Sequence, residues 1–252
     1  MISVLSQNLC SWGSGENSIP NRTERFRKLA DIYTPDIIGV QEATPVWREY
    51  LYANMPEYDR IGLPRQEGPK GESCDIFWKR DIFVLLSGGT RWLSNTPHVI
   101  SKLEDSSHYR VFTWAVLKRK ADNRQFLVCN IHTDYITQEV CLEQLQLMTE
   151  FAERLCLPTV FLGDMNMERD HLGYFYMRNR FEDVCVSADE KEFAEVKTSH
   201  DFGIKALECD YIFVSSQLRS KKYRVAIEKI DGQYISDHFA VYAELTFLQS
   251  EC

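Results

Sequence analysis

Apolar residues along the chain fall into short runs: ISVLSQN, DIIGVQ, CDIFWKR, FTWAVLKR, QFLVCNIH, TVFLGD, CDYIFVSS, YRVAIEKI and FAVYAELTF. Some alternate with polar positions, as Phe126, Val128 and Asn130 do on one face. Others are nearly continuous, as expected of strands covered on both faces. Two segments switch to helical spacing. Residues 22–33 put Phe26, Leu29, Ala30 and Tyr33 on one face, and Asn21 with Glu24 predicts a capping box at the start. Residues 137–156 carry Leu142, Leu145, Met148, Ala152 and Leu155 at steps of three and four, and 44–54 repeats the pattern with Trp47, Tyr50 and Leu51. Helices apolar on one side only are expected to cover a sheet from outside.

Three stretches read as irregular loops: 62–72, 94–108 and about 186–207. Long loops on a rigid scaffold commonly shape binding sites. There is no repeat, low-complexity tract or linker, so one domain over 1–252 is the expected organisation. A chain of 252 residues buries a core large enough to need neither disulfides nor metals for folding. The net charge of −8 shows none of the basic excess of a duplex-binding protein, although an acidic protein handles phosphate esters once a cation is brought to the site. The eight cysteines, at 10, 74, 129, 141, 156, 185, 209 and 252, include no C-x-x-C pair. That argues against a zinc ribbon or thioredoxin motif and predicts free, buried thiols in a reducing compartment. The N-terminus lacks a signal-peptide pattern and no segment has the ~20 apolar residues of a membrane span, so a cytoplasmic protein is expected.

Polar residues at the strand ends change the picture. The run TVFLGD stops at Asp164, with Asn166 two residues on. Asn8 ends the first run, Gln41 and Glu42 end the second, and Glu72 stands just before CDIFW. Asn130, His132 and Asp134 close another run, Asp210 opens a further one, and Ser236, Asp237 and His238 precede the last. Each alone has an ordinary structural reading as a turn residue, a helix cap or a hydrogen-bonded core histidine. Together they supply what phosphate ester hydrolysis needs: oxygen ligands for a hard cation, a base for water, and donors for phosphoryl oxygens.

The set Asn8, Gln41-Glu42, Glu72, Asn130-x-His132, Gly163-Asp164-x-Asn166, Asp210-Tyr211 and Ser236-Asp237-His238, in this order from residue 2 to about 247, resembles the endonuclease/exonuclease/phosphatase family. GES-CDIFWKRD, TRWLS and YRVFTWAVL are most similar to its small bacterial branch. The resemblance implies an α/β fold, a four-layer sandwich of two packed, mostly antiparallel sheets flanked by helices, like deoxyribonuclease I. It implies a Mg²⁺ cofactor, with Mn²⁺ as a substitute, held by Glu42 with Asn8 and Asp237. It implies that Asp164 takes a proton from the attacking water, that Asn166 orients that water or the phosphate, and that His238, paired with Asp210, contacts the phosphoryl oxygens. Whether Asp164 or His238 is the base stays open. His132 with Glu72 resembles a second histidine–carboxylate pair serving the leaving oxygen. Arg110 resembles a phosphate clamp, and Asn130 and His200 are carried over as substrate-binding positions. Small bacterial members tend to carry Asn-Thr-His and an arginine early in the following helix, where this chain has Ile131 and Glu139, Glu143 and Gln144.

The expected activity is Mg²⁺-dependent hydrolysis of a phosphodiester by in-line attack of water, with short or single-stranded nucleic acid among the candidate substrates and a monomer assumed. Two alternatives remain: a phosphomonoesterase acting on sugar or inositol phosphates, and a non-catalytic binding protein retaining the fold. A zinc hydrolase is disfavoured, because the six histidines lack H-x-H or H-x-x-x-H spacing.

Overall fold

The computed structural model describes residues 1–68 and 71–248. In chain order the strands are β1 (Ile2–Asn8), β2 (Ile37–Ala43), β3 (Tyr58–Ile61), β4 (Ser73–Lys79), β5 (Phe83–Trp92), β6 (Val111–Arg119), β7 (Gln125–His132), β8 (Thr159–Asp164), β9 (Glu182–Asp183), β10 (Glu190–Glu192), β11 (Asp210–Val214), β12 (Leu218–Ala226) and β13 (Ala240–Phe247). The helices are α1 (Ile19–Tyr33), α2 (Pro45–Asn54), α3 (Gln138–Glu153), α4 (Leu172–Arg178) and α5 (Val184–Ser187).

The strands form two mixed sheets, ordered β10-β12-β13-β1-β2-β4-β3 and β5-β6-β7-β8-β11-β9. Only β1–β2, β10–β12 and β7–β8 pair in parallel. Period-2 alternation sends Val4, Ile37, Ile76 and Trp78 of the first sheet inward against Leu117, Val128, Leu162 and Ile212 of the second. The opposite face of the first sheet, with Leu5, Ile38, Val40 and Phe77, is covered by Phe26 and Leu29 of α1 and Trp47 and Leu51 of α2. That of the second, with Cys129, Phe161, Tyr211 and Phe213, is covered by Leu145 and Met148 of α3 and Met177 of α4. Helix, sheet, sheet and helix thus stack in the expected four-layer sandwich.

The predicted capping box does not form. α1 begins earlier, after Ser18, and Asn21 instead donates to Gly15 O at 3.0 Å. Pro20 sits in the first turn, where its missing N–H costs nothing and its fixed φ suits a helix start. β3, β5 and α4 are further elements that the apolar pattern did not single out. β5 is an edge strand, half exposed and interrupted by Gly88 and Gly89, so its alternation is weak. Of the seven described cysteines all are free; six are buried and Cys156 is exposed. Cys252 and residues 69 and 70 of the 62–72 loop lie outside the described residues. No helix among the described residues is long and apolar enough to cross a membrane.

Candidate active site

Eight strand ends meet at one edge of the sandwich. The C-terminal ends of β1, β2, β7 and β8 arrive there with the N-terminal ends of β4, β6, β11 and β13. Register brings Asn8 opposite Gln41, and Asp164 opposite both His132 and Asp210. Two close approaches make this possible. A Cβ on Gly163, whose φ is +143°, would lie 2.0 Å from Ile131 O. A Cβ on Gly39 would lie 1.9 Å from Leu162 and 3.0 Å from Asn130, so glycine there lets the sheets meet beneath the site.

Glu42 sits at a register shift in β2 and adopts a left-handed backbone, with φ +56°. Such strain in a non-glycine residue is characteristic of functional positions. Burial works against its charged form, but Ser11 N–H (2.6 Å) and Asn8 Nδ2 (3.2 Å) donate to it and hold the carboxyl below its usual range. Asn8 also donates to Asp164 Oδ2 at 2.8 Å, while its own Oδ1 accepts from Cys10 N–H. Its amide nitrogen therefore faces both carboxylates, and a nitrogen donor cannot ligate a cation. As placed, Asn8 holds Glu42 and Asp164 in register through its amide nitrogen, with its oxygen on Cys10 N–H.

His238 Nδ1 lies 2.7 Å from Asp210 Oδ2, the expected pair. Burial would lower the imidazole, but Asp210 and Asp164 outweigh it and hold His238 at about 10. Asp164 is 2% exposed; burial and then the charge of Asp210 raise it to about 7. Asp164, Asp210 and His238 each bring one polar side-chain atom within 4.8 Å of the others. Burial and the neighbouring Glu42 raise Asp237 as well, despite the opposing charge of His238. Carboxylates raised by burial and by a neighbouring carboxylate, as Asp164 and Asp237 are, suit a hard divalent cation beside the pocket, and they offer oxygen rather than thiolate donors.

The expected His132–Glu72 pair does not form. Glu72 is held by Arg65, with Nη1 2.9 Å from its Oε2, while His132 Nε2 lies 3.5 Å from Asp164 Oδ2. Burial, reinforced by Arg110 and Arg65, keeps His132 neutral. Asn130 is not at the substrate surface either. It is fully buried, accepts from Gln41 Nε2 (2.7 Å) and donates to Val40 O and Asp75 O, so its amide stitches the two sheets together. His200, 5% exposed, packs at a tilt against the rings of Tyr234 and Phe239 and does not line the cavity.

A cavity of about 360 Å³ opens over these ends. Glu42, Glu72, Arg110, His132, Asp164, Asn166 and His238 line it, as expected. Arg65, His108, Ser11, Trp12 and Tyr135 line it too and were not anticipated individually, although Arg65 and His108 belong to loops singled out as site-shaping. Asn166, with φ +43°, donates its amide nitrogen to Thr133 O at 2.9 Å, which leaves its side-chain oxygen for a ligand.

Two buried groups position the walls. The Arg22 guanidinium donates to the carbonyls of Leu9, Cys10 (3.0 Å), Trp12 (2.7 Å) and Asn17 (2.8 Å), fastening the segment that carries Ser11 and Trp12. Arg22→Met is expected to lower stability by about 3 kcal/mol, since it orphans several buried carbonyls, and to weaken divalent-cation binding through Glu42. Urea unfolding and calorimetric Mg²⁺ titration of the variant check both effects. Asp134 accepts from Ser106 Oγ (2.7 Å), Ser107 Oγ (2.7 Å), His108 N–H (3.0 Å) and Ile136 N–H (3.1 Å). Burial opposes its charge, but these donors pull its carboxyl down to about 2. A depressed pKa contributes stability above the unfolded value, lost as pH falls through the folded one. Asp134→Asn is therefore expected to cost about 2 kcal/mol at pH 7, with the gap to wild type closing as pH falls from about 4 to 2. Urea midpoints at several pH values measure it.

Residues 11–238 match the model of the "Endonuclease/Exonuclease/phosphatase family". No curated protein matches the chain. An endonuclease/exonuclease/phosphatase family protein of Bacteroides thetaiotaomicron is 29% identical with a TM-score of 0.91, each chain covered to 98%. A counterpart from Bacteroides vulgatus is 26% identical with a TM-score of 0.92, over 98% of this chain and 99% of that one. A mannosyl-6-phosphatase of Bacteroides thetaiotaomicron is 29% identical with a TM-score of 0.87, over 98% of this chain and all of that one.

Proposed function

The chain belongs to the endonuclease/exonuclease/phosphatase family, and from that premise we propose that it is a divalent-cation-dependent hydrolase that cleaves a phosphate ester by in-line attack of water. The observation that carries the reading is the convergence of Asp164, the Asp210–His238 pair and the strained Glu42 on one cavity. Glu42 and Asp237 would hold the cation, Mg²⁺ with Mn²⁺ as a substitute; when bound it supplies positive charge for the phosphoryl oxygens and lowers the pKa of a bound water.

The protein's own groups account for the rest. Asp164, raised toward neutrality, is a competent base for the water, and Asn166 orients that water through its free amide oxygen. The charged His238, oriented by Asp210, donates to a phosphoryl oxygen and stabilises charge as it develops. The water oxygen bonds phosphorus as the bond from phosphorus to the ester oxygen breaks, one water proton passes to Asp164 and from there to solvent, and the leaving oxygen takes its proton from solvent. One ester and one water thus become one alcohol and one phosphate. Arg110 supports phosphate binding as well. Of the expected substrates, small phosphate esters suit a 360 Å³ cavity better than long polymers, and one of the similar proteins is by name a mannosyl-6-phosphatase.

A hydrolysis panel tests the reading: sugar and inositol phosphates, lipid headgroups, single- and double-stranded DNA and RNA, each with Mg²⁺ and with chelator. Turnover of at least one class that disappears with chelator is expected. No turnover of any, or turnover indifferent to chelator, contradicts it and returns the non-catalytic alternative.

A further inference from the structure

The cavity holds a second guanidinium, Arg65, beyond the Arg110 already given to phosphate binding. Arg110, immediately before β6, is 4% exposed, its Nε has no hydrogen-bond partner, and it forms no ion pair among the described residues. Arg65 lines the same cavity and is as firmly placed. Its backbone N–H donates to Glu72 O (2.8 Å), its carbonyl accepts from Trp92 Nε1 (2.8 Å), and its side chain is 11% exposed with an unpartnered Nε of its own. Both arginines also border a cavity of about 10 Å³ shared with Glu72 and His132. Arg65 pairs with Glu72, while Arg110 faces Asp134, Asp164 and Glu72 without pairing with any of them. Keeping an unpaired buried cation costs several kcal/mol, which an anion in the cavity would offset.

Resting on the hydrolase reading above, we propose that Arg65 and Arg110 form a dianion-recognition subsite that commits this protein to terminal phosphate monoesters of small molecules. Oxygen counting favours this. A diester has two non-bridging oxygens and one negative charge. A monoester has three and carries a second negative charge, so it offers a guanidinium fork one more acceptor and a stronger electrostatic partner. Trp12 and Tyr135, 56% and 60% exposed, also line this cavity and suit a ring on the leaving alcohol.

The test compares 4-nitrophenyl phosphate with bis(4-nitrophenyl) phosphate in Mg²⁺, together with calorimetric binding of inorganic phosphate. Wild type is expected to prefer the monoester in kcat/KM. Arg65→Met should lower monoester kcat/KM on the order of 100-fold, chiefly through KM, and weaken phosphate binding at least tenfold, while diester kcat/KM falls less than tenfold. Arg65→Lys keeps the charge without the fork and should fall between, which separates recognition from misfolding. Equal losses on both esters, wild-type preference for the diester, or phosphate binding indifferent to Arg65→Met overturns the subsite and leaves the hydrolase reading standing. Absence of turnover on either ester overturns the hydrolase reading, and the monoester preference with it.

Discussion

Asp164→Asn is expected to lower turnover on the order of 10³- to 10⁴-fold while leaving the protein at least as stable as wild type at pH 8. The rate loss follows from removing the one buried carboxylate that lies beside both Asn8 and His132 and faces the cavity. The stability follows from its surroundings. Asp164 is raised to about 7 by burial and by Asp210 across the register, so its charge opposes folding. An acid raised in the folded state contributes stability below its unfolded pKa, lost as pH rises through the folded one. Wild type should therefore lose stability between about pH 4 and 7 from this group, and Asp164→Asn should not. Its new amide nitrogen meets the Asn8 donor and sets back part of the gain. Thermal unfolding at pH 5 and 8 without added metal, alongside steady-state hydrolysis, checks both halves. A variant that loses activity only by unfolding contradicts the assignment.

His238→Gln is expected to lose activity on the order of 10²- to 10³-fold and, unlike Asp164→Asn, to lose stability as well, by about 3 kcal/mol. It leaves Asp210, 1% exposed, as a buried carboxylate without its cation. The imidazole is held at about 10 by Asp210 and Asp164 against burial. A raised histidine contributes stability that is full below its unfolded pKa, near 6.5, and lost as pH rises through about 10. The deficit of the variant should thus be largest near pH 6 and shrink toward pH 10. Urea unfolding across that range measures it. Opposite stability signs from two neighbouring site residues would be hard to reproduce with a generic core defect.

Strand ends were readable because alternating apolar runs mark their own limits. A polar residue that stops such a run, as Asp164 stops TVFLGD, must lie at an edge of the sheet. The order of the motifs then placed Glu42, Asp164, Asp210 and His238 at one edge. Contacts fixed by partners distant in sequence were not readable. Asn130 looked like a site residue because it shares a strand end with His132, but Gly39 and Gln41 on the other sheet draw its amide into the sheet interface. Glu72 seemed matched to His132, yet Arg65, seven positions earlier on the same loop, captures it. Asn8 carries the right atoms for a ligand, and only the Cys10 N–H taking its oxygen shows that it presents nitrogen instead. His200 lies in a loop whose path depends on packing against Tyr234 and Phe239, for which local sequence carries no signal.

The central claim is that these residues direct a water at phosphorus. Hydrolysis of 4-nitrophenyl phosphate in ¹⁸O-enriched water, under single-turnover conditions with Mg²⁺, tests it most directly. The account predicts one ¹⁸O in the released phosphate and none in the 4-nitrophenol. Label in the alcohol, unlabelled phosphate in the first turnover, or a trapped phosphoryl-enzyme would contradict it.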